Sequence, residues 1–105
     1  MKPNIQTFIA AEAAFDDARA VLFGAPFDGT TSFRPGTRFG PQAIRAESDG
    51  IETYSPYQNK DLEDLAIFDS GDLILPFGNT EAVLAMIEAR TQEILDAGKM
   101  PVILG

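Results

Sequence analysis

The apolar positions of this chain gather into three short blocks separated by polar stretches, and each block has the length of a strand rather than of a helix. The first, Ala18 to Ala25, places the β-formers Val21 and Phe23 at its centre and is stopped by Gly24 and Pro26. The second, Leu65 to Phe68, runs into Asp69-Ser70-Gly71-Asp72, which reads as an acidic turn closing the strand. The third, Met100-Pro101-Val102-Ile103-Leu104-Gly105, is unbroken, as in strands of a parallel sheet covered on both faces.

Between the blocks lie helical signals. Pro41 suits a first helical turn, where its missing N–H is harmless, and Gln42 to Glu47 are good helix formers that should stop near Ser48-Asp49-Gly50. Asn79 or Thr80 can cap a second helix, with Glu81 in its first turn, Leu84, Ile87, Thr91, Ile94 and Leu95 along one face, and Gly98 at its end. Residues 5–17 read as a short helix or an irregular arm, 26–41 as a long loop rich in Gly, Pro, Thr and Ser, and 51–64 as an exposed connection with a short edge strand. The order strand, loop and helix, strand, helix, strand implies parallel pairing through right-handed crossovers, the front of a doubly wound α/β sheet.

The last block makes the chain look cut. Val102, Ile103 and Leu104 would each contribute about 1.5–3 kcal/mol on burial, but only between neighbouring strands and under helices on both faces. A sheet of about three strands supplies few such neighbours. In open α/β sheets the loops beyond the carboxyl ends of the strands carry the functional groups. The sequence stops where such a loop should begin, so the expectation is the opening segment of a larger α/β enzyme.

Composition narrows the chemistry. With 105 residues, 45% hydrophobic and 23% charged, the chain is one ordinary globular domain or part of one. No apolar run approaches the roughly 20 residues that cross a bilayer, and no signal-peptide core follows the N-terminus, so the cytoplasm is the default location. Cysteine and histidine are both absent, so no thiol is on hand and any metal or proton chemistry here must rest on carboxylates. The net charge of −8 repels phosphate backbones and suits a cationic ligand, although solubility alone is a sufficient reason for it.

Among candidate sites, Gly24 to Thr30 has the two glycines of a phosphate loop but no lysine after the second, and no Gly-x-Gly-x-x-Gly occurs. Asp69 and Asp72 could hold Mg²⁺ or Mn²⁺ from the end of a strand, or simply bond backbone groups of a turn. Ser70 has no histidine to activate it as a nucleophile. Arg34, Arg38 and Arg45 surround a rigid turn leading into a helix, a layout that serves either as scaffold or for binding carboxylates.

The string Gly24-Ala25-Pro26-Phe27-Asp28, then Arg34-Pro35-Gly36-Thr37-Arg38-Phe39-Gly40-Pro41-Gln42-Ala43-Ile44-Arg45, resembles the N-terminal signature of the ureohydrolase (arginase/agmatinase) family, in its agmatinase branch. The resemblance continues through Asp69-Ser70-Gly71-Asp72 to Val102-Ile103-Leu104-Gly105, over about residues 18–105. It implies a three-layer αβα sandwich with a mainly parallel sheet, of which residues 18–105 are the N-terminal part and residues 1–17 an arm. It further implies a binuclear Mn²⁺ centre that hydrolyses agmatine or a related guanidino compound to urea and an amine such as putrescine, in a homo-oligomer, trimer or hexamer. The family's metal ligands follow the last strand, so no metal or catalytic role maps onto a residue here. Asp28, Thr31, Ser32 and Arg34 are expected on the substrate rim from their loop position, and Arg38 and Arg45 in a structural loop or subunit contact. The rival expectation is a non-catalytic α/β module that binds a divalent ion through Asp69 and Asp72.

Overall fold

Three parallel strands organise the chain in a computed structural model that describes residues 6–27, 36–76 and 78–105. Strand β1 spans Ala20–Gly24, helix α1 Gly40–Ser48, strands β2 and β3 Tyr54–Ser55 and Lys60–Asp61, strand β4 Ile67–Asp72, helix α2 Thr80–Asp96 and strand β5 Met100–Leu104. The main sheet has the order β4-β1-β5 and both of its pairings are parallel, with Val21 opposite Phe68 on one side and Pro101 on the other. The first strand is therefore central, which suits its apolar sequence, and Val21, Leu22 and Phe23 are all buried.

Side chains alternate across a strand, and the two faces bury different groups. Val21 and Phe23 pack with Ala18, Leu73 and Ile94 beneath α2, edged by Phe15, Phe68 and Ile87. Leu22 turns the other way, to Ala11 and Ile67, with Phe8 and Leu62 beside them.

Helix α2 is capped as its sequence implies, the Asn79 side chain accepting from the Ala82 N–H at 3.0 Å. Its inward stripe differs from the expected one. Val83 and Ile94 are buried and Ile87 packs beside them, whereas Leu84 and Leu95 are 57% and 51% exposed. The burying face keeps Ile87 and Ile94 of the expected stripe, takes Val83 in place of Leu84 and leaves Leu95 outside.

Three further expectations are corrected. Asp69-Ser70-Gly71-Asp72 is the last four residues of β4 rather than a turn, because it stays paired with β1. Between Leu22 opposite Asp69 and Gly24 opposite Asp72, β4 holds one extra residue, a bulge at Ser70-Gly71 that the positive φ of Gly71 (79°) permits. Strand β5 is not buried on both faces: Met100, Val102 and Ile103 are 66%, 37% and 45% exposed, since β5 is an edge of the three strands and lines an open apolar groove with Leu22, Leu65 and Ile67. Within residues 51–64, β2 and β3 form a separate two-stranded antiparallel ladder, not an edge of the main sheet.

Residues 6–17 are irregular apart from one 3₁₀ turn at Phe15–Asp17. They are nevertheless tied down: the Ala13 N–H donates to the Ile67 carbonyl at 3.0 Å, and Lys99 Nζ donates to the Ala18 carbonyl at 2.7 Å while lying over the Phe15 ring.

Candidate functional site at the carboxyl ends of the strands

Because the three strands run the same way, Gly24, Asp72 and Leu104 end on one edge of the sheet, where Gly24 pairs with both others. Two hydrogen bonds tie these ends: the Ala25 N–H donates to the Leu104 carbonyl at 2.8 Å, and the Leu73 N–H to the Gly24 carbonyl at 2.9 Å. The start of α1 closes the same edge, with Pro41 buried and Gly40 so near that a Cβ there would stand 2.7 Å from the Gly105 carbonyl oxygen.

Glycine at position 24 is required by close approach. A Cβ there would lie 1.9 Å from Asp72 Oδ1 and 2.8 Å from Pro41 Cβ. Gly24→Ala should therefore lower stability by about 1–3 kcal/mol, the usual range for overpacking. A urea-denaturation midpoint equal to the parent's would contradict this. The penalty should shrink in an Asp72→Ala background, since the two sites share one contact.

Arg45 is the centre of the edge. It stands on α1, is 4% exposed, and meets Asp69 in a two-pronged pair, Nε to Oδ2 at 2.8 Å and Nη2 to Oδ1 at 3.0 Å. Its remaining prong, Nη1, donates to Asp72 Oδ1. Burial works against the Arg45 charge, but hydrogen bonds and attraction from Asp69 and Asp72 outweigh it and raise its pKa above the ordinary arginine value. The guanidinium stays charged.

Asp69, whose side chain is 1% exposed, collects two more donors: the Phe8 N–H at 2.9 Å and the Gly71 N–H at 3.0 Å. Ser48, also buried, donates to the Arg45 carbonyl at 2.7 Å and accepts from the Ile9 N–H at 3.0 Å. The arm, α1 and β4 thus meet at one charged cluster, and among the described residues no buried side-chain polar atom lacks a partner.

The sequence-expected residues fall unevenly on this frame. Asp28, Thr31, Ser32 and Arg34 lie outside the described residues. Thr37 donates through Oγ1 to the Phe27 carbonyl at 3.2 Å, linking the described flanks of that segment. Arg38 lies in a 3₁₀ turn with its guanidinium 4.8 Å from the Phe39 ring centre, and Arg45 is in the helix rather than the loop. The parts that Gly24, Ser48 and the Phe8 amide play in this cluster have no signal in the sequence. Gly24 reads in sequence as a strand stop and Ser48 as a helix stop, and nothing local signals an amide that bonds a carboxylate 61 residues away.

The same geometry tests the cluster as a cation site. Both carboxylates are already engaged by a guanidinium, and Asp69 accepts two backbone N–H groups besides. Among the described residues no group of three or more His, Cys, Asp or Glu comes together. These residues do not fit a manganese centre, and the pair Asp69 and Asp72 is a scaffold for Arg45 instead.

Relatives give the frame a context. The agmatinase of Bacillus subtilis (strain 168) is 50% identical over 100 residues, covering 95% of this chain and 34% of the relative. The crystal structure of the agmatine ureohydrolase of Thermoplasma volcanium superimposes with a TM-score of 0.89 at 28% identity, over 96% of this chain and 34% of that one. A formiminoglutamase of Trypanosoma cruzi, solved with Mn²⁺, shares the fold at a TM-score of 0.74 and 24% identity, over 90% of this chain and 34% of its own. The chain spans about a third of the length of the curated relatives it matches. The arginase family profile matches residues 18–105, which takes in the central strand, Arg45 with Asp69 and Asp72, and the edge they build, and the chain belongs to the arginase family.

Proposed function

We propose that this chain is the N-terminal segment of an agmatinase-like ureohydrolase, which hydrolyses agmatine or a related guanidino compound such as guanidinobutyrate, with manganese, to urea and an amine such as putrescine. The observation that carries the reading is the 50% identity to an agmatinase over 95% of the chain. Its place in a larger sheet is supported by the apolar face that β5 leaves open, since parallel sheets are stable when covered on both faces. Residues 18–105 would be the first part of one α/β domain, and residues 1–17 its arm.

Manganese would supply a water-derived nucleophile at neutral pH. No described residue of this chain is assigned to that metal. Arg45, Asp69 and Asp72 instead hold the edge of the sheet beside which the reacting groups would sit. Asp28, Thr31, Ser32 and Arg34 are assigned to the substrate rim, where the acidic balance of the chain favours a cationic guanidino group. Arg38 is assigned to a structural loop or subunit contact in a cytoplasmic homo-oligomer, trimer or hexamer.

The test is urea release. The complete protein carrying this segment, loaded with Mn²⁺, should release urea from agmatine or guanidinobutyrate, and the 105-residue chain alone should release none and bind Mn²⁺ weakly. A complete protein inert towards guanidino compounds, or micromolar Mn²⁺ affinity in the 105-residue chain alone, would refute the reading.

A further inference from the structure

Asp72 differs from its neighbour Asp69 in what it touches. Asp69 is sealed inside, among donors from the arm, α1 and its own strand. The Asp72 side chain is 33% exposed, sits at the last residue of β4, and takes one prong of Arg45. It also lies directly over Gly24, as the Cβ clearance of 1.9 Å records. The carboxylate is therefore wedged between a helix-borne cation and the last residue of the central strand, beside the two hydrogen bonds that tie Gly24 to Leu73 and Ala25 to Leu104. Asp72 belongs to neither buried apolar cluster of the sheet, Ala18, Val21, Phe23, Leu73 and Ile94 on one face and Ala11, Leu22 and Ile67 on the other.

We infer that Asp72, held by Arg45 against Gly24, is a positioning residue: it fixes the points at which the chain leaves β1 and β4, and so the placement of whatever groups act there. This rests on the hydrolase reading above. A shift of about 1 Å in such placement is enough to lower a rate about a hundredfold without direct contact with the substrate.

The experiment uses the complete Mn²⁺-loaded protein and compares parent, Asp72→Ala and Asp72→Asn. Asp72→Ala should lower kcat for agmatine by about tenfold or more, with a smaller change in KM. Hydrogen exchange should quicken about tenfold or more at the Ala25 and Leu73 amides while the amides in the middle of α2 keep parental protection. Asp72→Asn, which retains an oxygen for Arg45 without the charge, should show the same pattern at smaller size and carries the test if the alanine variant does not fold. Parental kcat together with parental protection at Ala25 and Leu73 would overturn the inference, as would loss of protection spread evenly through the sheet and α2. If the parent hydrolyses no guanidino compound, the hydrolase reading fails, and the exchange pattern alone still decides whether Asp72 fixes the strand ends.

Discussion

Arg45→Met should cost about 3–5 kcal/mol, a large share of the roughly 5–15 kcal/mol that holds a domain together. Methionine fills much of the same volume, so the loss comes from electrostatics rather than from a cavity. Asp69 would remain 1% exposed with its charge and without its cation, and Asp72 would lose its partner as well. Equilibrium urea unfolding of parent and variant measures the difference. The diagnostic is the double variant Arg45→Met with Asp69→Leu, which removes the stranded charge. It should recover part of the loss but not all, because Asp69 also accepts from the Phe8 and Gly71 amides, which leucine cannot bond. A single variant as stable as the parent would show that the cluster contributes nothing to the fold.

Phe23→Ala is expected to be as damaging, by a different route. Phe23 is fully buried in the central strand, between β4 and β5 and beneath α2, where it packs with Val21, Leu73 and Ile94. Truncating such a ring removes its transfer energy and leaves a void the paired strands cannot close, for about 3–5 kcal/mol. Leu84→Ala is the matched control: Leu84 is 57% exposed on the outer side of α2, and its truncation should change stability by no more than about 0.5 kcal/mol. Urea midpoints for the two variants should separate widely. Similar midpoints would mean that the helix packs with its other side inward.

The elements that could be read in advance are those fixed by local chemistry. The Val21 to Phe23 run, the Asn79 cap and the glycine after α2 each declare themselves within a few residues. Asp69-Ser70-Gly71-Asp72 misleads for a physical reason: Asp and Gly, three of its four residues, are poor strand formers, and only pairing with β1, some 45 residues earlier, overrides that preference. Leu84 and Leu95 mislead because each is apolar and directly follows a buried residue, Val83 and Ile94, so spacing alone does not separate them from the inward stripe. The role of Arg45 was least legible, since its partners lie 24 and 27 residues further on and neither carboxylate has a sequence signature distinguishing an arginine partner from a metal. Arg38 and Arg45 look alike in sequence, yet one lies over an exposed ring and the other is buried among acids.

The filled carboxylate of Asp69 has a consequence for how the chain assembles. Its donors come from residues 8, 45 and 71, so loop closures of very different length must be completed before the last lone pair is occupied. The contact with residue 71 is nearly local and can form early, that with residue 45 needs the helix docked, and that with residue 8 spans most of the distance back to the start of the chain. The Phe8 contact is thus a late arrival that depends on a finished interior, and a nascent chain would keep that amide free of its carboxylate until residue 69 has been made.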